Sequence, residues 1–262
     1  MKILTLIGSL RHHGNTEQIL DLIQENLILE AERVKEPLEI ETIYLGQQEI
    51  HFCRGCRICY DRGAELCPLK DDVPALEAKM LAADGILMAS PVYVDDVSGL
   101  MKTFIDRLCH VCHRPELAGK VGYVVATTGR SRTSKTLATM SLALRTWGVH
   151  LAGQAGYVMG ALMTPTETRK KFADSAARDA RRFFTAIYRQ SYLNPSFISL
   201  MMFKIQQASW RSRTRRDSLD YHYYVEQGWF EPGCTFYIPH RAGWVKVVLA
   251  RLTGRVVQRM MA

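Results

Sequence analysis

Five apolar runs recur along the first 160 residues, and each is followed by a stretch in which apolar positions return every three or four residues. The runs at 2–7, 38–44, 85–90, 121–127 and 150–158 are short and bounded by polar or glycine positions. They read as buried strands. Between them, 15–34 places Ile19, Leu20, Ile23 and Leu27 at helical spacing, and 71–83, 98–108 and 133–147 follow the same period. Acidic residues open the helix at 71, where they complement the helix dipole. A long helix is predicted over 166–189, with Thr-Pro-Thr-Glu at its start. Strand alternating with helix predicts an α/β fold, a doubly wound five-stranded parallel sheet covered on both faces. Ligands of such sheets sit beyond the carboxyl ends of the strands, so the segments after strands one, three and four are the places to look. The stretch 46–70 has no period and is long for a connection, which marks it as functional.

Past residue 190 the pattern changes, and 191–262 is read as a C-terminal helical and aromatic extension of a 1–190 domain. Residues 197–210 are amphipathic and precede Arg211, Arg213, Arg215 and Arg216. An aromatic stretch follows, with Tyr221, Tyr223, Tyr224, Trp229, Phe230, Phe236 and Tyr237. In 243–261, Val245, Val248, Leu249, Leu252, Val256 and Met260 share one helical face, and Arg251, Arg255 and Arg259 form a stripe on another. Aromatic weight of this kind seeks burial. The extension is therefore expected to pack on its own core or on a partner subunit of a homo-oligomer. Contact of the last helix with an anionic membrane surface is the alternative, and closure of the aromatics over a bound cofactor is a third; no nucleic-acid partner is expected.

Composition narrows the class. The 262 residues are 47% hydrophobic and 23% charged, as in a soluble globular protein. No uncharged apolar run reaches the length of a membrane span. The N-terminal apolar stretch lacks a small-residue cleavage site and runs directly into a loop motif, so it reads as a strand and the protein is expected in the cytoplasm. The net charge of +8 is uneven: residues 194–262 hold ten Lys or Arg against four Asp or Glu, leaving +2 for the first 193. Seven cysteines in a reducing compartment argue against a disulfide framework.

The loop after the first strand reads Gly8-Ser9-Leu10-Arg11-His12-His13-Gly14-Asn15-Thr16. Hydroxyls, a guanidinium and open backbone N–H groups at a helix N-terminus make a phosphate cradle. It matches neither the dinucleotide fingerprint nor the P-loop. Together with Ser-Pro-Val-Tyr at 90–93 and Leu-Met-Lys-Thr-Phe-Ile-Asp-Arg at 100–107, this loop resembles the NADPH-dependent FMN reductase family, whose fold is flavodoxin-like, and within it the branch of iron–sulfur flavoproteins. The resemblance spans roughly residues 1–190. It implies that Ser9, Arg11, Asn15 and Thr16 hold the FMN phosphate, that Pro91, Val92 and Tyr93 line the isoalloxazine, and that Thr127, Thr128, Gly129 and Arg130 approach the ring from the fourth strand. Lys102, Asp106 and Arg107 are expected to serve the fold or subunit contacts.

Cys53, Cys56, Cys59 and Cys67 fall within fifteen residues in the spacing C-x2-C-x2-C-x7-C. The first three match compact [4Fe–4S] ligation, and Pro68 follows the fourth. Structural zinc usually takes two separated pairs. The x7 step is longer than the final spacing that the iron–sulfur branch implies. Arg54, Arg57 and Arg62 interleave the cysteines and would offset thiolate charge, or lower thiol pKa values if no cluster is present. The segment Cys109-His110-Val111-Cys112-His113 matches the c-type haem signature, but attachment of that kind needs export. These residues are instead expected at the end of a helix, with the cysteines packing it and the histidines near its exposed end. Cys234 stands alone in the extension. Three readings follow: an NAD(P)H-dependent FMN oxidoreductase passing electrons to a small acceptor such as a quinone, an iron–sulfur electron carrier serving a ferredoxin-like partner, or a flavin-binding or thiol-sensing module without catalysis.

Overall fold

The apolar runs become strands because neighbours on both faces bury them. In the computed structural model, which describes residues 1–160, 163–212 and 215–261, β1 (Lys2–Ile7), β2 (Glu39–Tyr44), β3 (Gly85–Pro91), β4 (Val121–Thr128) and β5 (His150–Val158) pair in parallel in the order β2-β1-β3-β4-β5. This is the flavodoxin-like doubly wound sheet. Along the central strands, alternate residues feed opposite layers. Leu4, Leu6, Ile86, Met88, Val124 and Ala126 meet one set of helices; Ile3, Ile7, Leu87, Ala89, Tyr123 and Val125 meet the other.

The helices follow in chain order as α1 (Asn15–Val34), α2 (Ile58–Asp61), α3 (Val73–Ala82), α4 (Gly99–Arg107), α5 (Ser134–Thr146) and α6 (Pro165–Tyr188). α3, α4 and α5 cover the first layer through Leu76, Phe104 and Met140; α1 and α6 cover the second through Ile23 and Phe183. Boundaries differ from the expected ones by a residue or two, where caps rather than periodicity decide. Ser98 caps α4 by accepting from the Met101 N–H. Thr164 and Glu167 form a reciprocal capping box on α6. At Gly85 an added Cβ would stand 2.5 Å from Ile187 Cδ1, so the glycine lets α6 lie close on the sheet.

The extension builds a third apolar cluster of its own from α7 (Phe197–Trp210), α8 (Leu219–Glu226) and α9 (Trp244–Met261). Phe203 lies edge-on to Tyr237 (4.8 Å between centroids), and Tyr224 edge-on to Trp229 (4.8 Å). The polar tips find partners: Trp229 Nε1–H donates to the Tyr237 carbonyl (2.9 Å), and Gln207 Nε2 donates to the Trp229 carbonyl (2.6 Å). The expected burial of the aromatics is therefore met within the extension itself. Of the basic run after α7, Arg213 lies outside the described residues.

Candidate functional site

The loops after β1, β3 and β4 are tied together by their first residues. Gly8 N–H donates to the Ala89 carbonyl (2.8 Å), Ser98 Oγ donates to the Gly8 carbonyl (2.6 Å), and Val92 N–H donates to the Thr127 carbonyl (2.8 Å). A Cβ on Gly8 would stand 2.9 Å from that of Met101, so this crossing requires glycine. The three loops enclose a cleft of about 570 Å³ beyond the carboxyl ends of the strands. Ser9, Arg11, Asn15, Thr16, Pro91, Val92, Tyr93, Thr127, Thr128 and Gly129 all line it. Arg130 is exposed and does not. His12, His13 and Gly14 of the same loop line it too, and Gln18, Gly160 and Met163 line it without having been anticipated. Gly160 and Met163 arrive from the segment after β5, which carries no phosphate-loop motif.

The floor of the cleft is the start of α1. Its N-cap is Gly14, which offers no side-chain acceptor, so the first-turn N–H groups remain open. Arg11 is exposed and forms no ion pair among the described residues. Other polar groups are already engaged. Thr16 Oγ1 and Thr127 Oγ1 share a buried hydrogen bond (2.7 Å), Asn15 Nδ2 donates to the Gly160 carbonyl (3.0 Å), and Ser9 Oγ accepts from the Arg11 N–H (3.2 Å). In the β3 loop, Tyr93 and Asp96 exchange backbone hydrogen bonds (2.9 and 3.1 Å) across a tight turn. Val94 and Asp95 hold left-handed conformations there, at φ 48° and 65°. A β-branched residue is strained in that region. Burial opposes ionisation of Asp96, but the Thr139 hydroxyl, the Val97 N–H and Lys135 outweigh it and hold the carboxyl below its usual range.

The cysteine loop is pinned at both ends by one guanidinium. Arg107 makes a buried bidentate pair with Asp71 and donates to the His51 carbonyl (3.1 Å). Asp71 also accepts from the His51 N–H (2.9 Å), and Asp72 accepts from the Glu49 N–H (2.7 Å). Although burial raises it, the Asp71 pKa is held low by Arg107 and by the His51 and Val73 N–H groups. Arg107 thus serves the fold, as expected, while Lys102 and Asp106 pair with each other on the surface.

Between those anchors, Cys53, Cys56, Cys59 and Cys67 line one cavity of about 150 Å³. Cys109 and His110 line it too. They lie in a short 3-10 turn beyond α4, and His110 is buried, contrary to the expected helix end with exposed histidines. His110 Nε2 meets Glu77 (3.0 Å), while its buried Nδ1 has no hydrogen-bond partner. Burial and the neighbouring Cys109, Cys53 and Cys67 raise the Cys59 thiol well above its ordinary pKa. The interleaved arginines do not reverse this, since Arg57 pairs with Asp61 (3.0 Å). Among the described residues, no three His, Cys, Asp or Glu side chains converge on a point that would hold a single metal ion.

The loop after β1 meets the start of the segment that leads to the cysteines. Leu10 of the phosphate loop packs over Gly46, where a Cβ would stand 2.4 Å from Leu10 Cδ2, and His12 Nε2 meets Gln47 Nε2 (3.0 Å).

A strand-end cleft on a doubly wound sheet of this order is the arrangement of the flavodoxin-like fold. The chain belongs to the NADPH-dependent FMN reductase family, whose model matches residues 1–161. It is 28% identical over 229 residues to an iron–sulfur flavoprotein of Archaeoglobus fulgidus, a match covering 87% of this chain and 99% of the relative. An iron–sulfur flavoprotein of Methanocaldococcus jannaschii is 40% identical over 132 residues, or 50% of this chain and 64% of the relative. An oxidoreductase structure from Corynebacterium diphtheriae shares the fold at a TM-score of 0.54 and 23% identity, covering 72% of this chain and 98% of that one.

Proposed function

We propose that this chain binds FMN in the cleft and uses it to carry electrons from NAD(P)H to a small acceptor such as a quinone. The observation that carries the proposal is the meeting of three strand-end loops around a cleft of about 570 Å³ over an uncapped helix N-terminus. That size suits a mononucleotide. The donor set suits one as well. The open N–H groups of α1 and the unpaired Arg11 would hold the phosphate. The Thr16, Asn15 and Ser9 side chains brace the loop around it, because they are already engaged. Thr127, Thr128 and Gly129 would meet the polar edge of the ring. Pro91, Val92 and Tyr93 would form its wall, with Tyr93 half exposed on the open side. Arg130 is left out of this contact set. When bound, FMN supplies both hydride and single-electron chemistry, so the protein needs no acid or base of its own. Arg11→Ala is expected to weaken FMN binding by about tenfold or more, the worth of a charge-assisted hydrogen bond. Fluorescence titration of the apoprotein measures it, and unchanged affinity would remove Arg11 from the site.

A second reading is favoured by the cysteine cavity. Four motif thiols around one small space suit a cluster whose irons each take a different ligand, an arrangement that does not require the thiols to converge on one point. Two relatives carry the name iron–sulfur flavoprotein. On this reading Cys53, Cys56, Cys59 and Cys67 ligate a [4Fe–4S] cluster that exchanges electrons with a ferredoxin-like partner. Purification without oxygen, followed by the visible spectrum and iron and sulfide analysis, separates the two readings. Flavin bands alone leave the simple reductase. Broad absorbance at about 400 nm with about four irons per chain establishes the carrier. Absence of flavin in the purified and reconstituted protein would sink both. The division into a 1–190 FMN domain and a 191–262 extension belongs to the same proposal, supported by the separate aromatic cluster.

A further inference from the structure

α9 buries far less of itself than its sequence allows. Val247 and Ala250 pack against α7, and Gly254 lets the helices approach: a Cβ there would stand 3.0 Å from Lys204 Cβ. At 100° per residue, Val245, Val248, Leu249, Leu252, Val256 and Met260 occupy a sector of about 120° on the opposite side. All six are exposed, Met260 to 81%, and Trp244 at the start of the helix is exposed to 77%. Lys246, Arg251, Arg255 and Arg259 accompany this face, the helix holds no acidic residue, and none of the four cations pairs with a carboxylate among the described residues. Lys204 beneath them has its pKa lowered by burial and then by Arg251, Arg255 and Arg211, a sign that the positive field is uncompensated.

We propose that α9 is a docking surface for an anionic lipid bilayer, lying in the interface with its apolar sector in the acyl boundary and its cations at the headgroups. An apolar sector with arginines beside it matches the chemistry of that boundary. The helix is about 27 Å long, and among the described residues no helix is long and apolar enough to cross a membrane. Docking is thus along the surface. Nucleic acid would use the cations and leave the apolar sector in water. A two-fold contact of α9 with its own copy would bring cations near cations with no carboxylate of the helix between them.

The test is flotation of the full chain with vesicles of phosphatidylcholine alone and with about one third phosphatidylglycerol. Binding is expected to the anionic vesicles only, and to fall with salt. Arg255→Gln with Arg259→Gln should weaken it about thirtyfold at low salt, from a loss of about fivefold per surface cation. Leu252→Glu with Val256→Glu should abolish it, with circular dichroism and flavin content unchanged because both positions face solvent. Should that variant fail to fold, the arginine pair and the salt dependence decide the matter. The proposal is overturned if anionic vesicles are not bound, or if binding survives both variants. It is equally overturned if sedimentation shows that Leu252→Glu with Val256→Glu splits an oligomer, since the face would then be covered by a second copy.

Discussion

At the scale of single residues, the cysteine loop depends on one ion pair. Arg107 and Asp71 are both almost wholly buried, so removing one leaves the other uncompensated. Arg107→Ala is expected to cost about 3 kcal/mol in denaturant unfolding. The pH dependence follows from the lowered Asp71 pKa. A depressed carboxyl contributes stability above its unfolded value, 3.8, and loses it as pH falls through the folded value. The difference between wild type and Arg107→Ala should therefore be full at neutral pH and shrink below about pH 4. Val94 presents the opposite case. Fully exposed and left-handed at φ 48°, it holds a conformation that glycine adopts freely. Val94→Gly is expected to stabilise the protein by about 1 kcal/mol, read as a raised Tm. A lower Tm would mean that the chain entropy glycine loses on folding outweighs the strain it relieves.

At the scale of elements, the strands and helices were legible because each layer of the sheet repeats a simple period. The phosphate loop and the loops after β3 and β4 were legible for a related reason, since the fold places them at strand ends. Gly160 and Met163 were not, because they reach the cleft through the path of the chain after β5 and carry no motif. Nor were Cys109 and His110. They lie more than forty residues from the cysteine motif, and they reach its cavity because α4 stops at Arg107 and the chain turns. The hydrogen bond from Tyr60 OH to the Cys109 carbonyl (2.9 Å) fixes that meeting, and no local pattern encodes it. Helix α8 braces the same region. Its Asp220 pairs with buried Arg114 (2.6 Å), which in turn donates to the Cys59 carbonyl, and His113 lies tilted between the Tyr60 and Trp210 rings. Asp220→Ala is expected to lower stability by about 3 kcal/mol by stranding Arg114. If the cavity holds iron, the same variant should lose iron faster to a chelator than wild type; equal loss would show that α8 does not brace the loop.

At the scale of the whole molecule, the sheet and the C-terminal aromatic cluster occupy different places. The doubly wound sheet presents the cleft, and the aromatic extension leans on the cysteine loop. The charge follows this division, since the basic excess lies in the extension. The extension meets the sheet layers through ring, ion-pair and polar contacts, among them Gln206 Nε2 donating to the Cys112 carbonyl (2.8 Å).

The seam between Leu10 and Gly46 carries a further consequence. A ligand filling the cleft would hold the loop after β1 and, through Leu10, the start of the segment bearing the cysteines. By reciprocity, whatever occupies the cysteine cavity would tighten the grip on a ligand in the cleft. Limited proteolysis should then cut near the exposed Cys53 and Cys56 more slowly once FMN is added. Gly46→Leu, which forces Leu10 aside, should erase that protection.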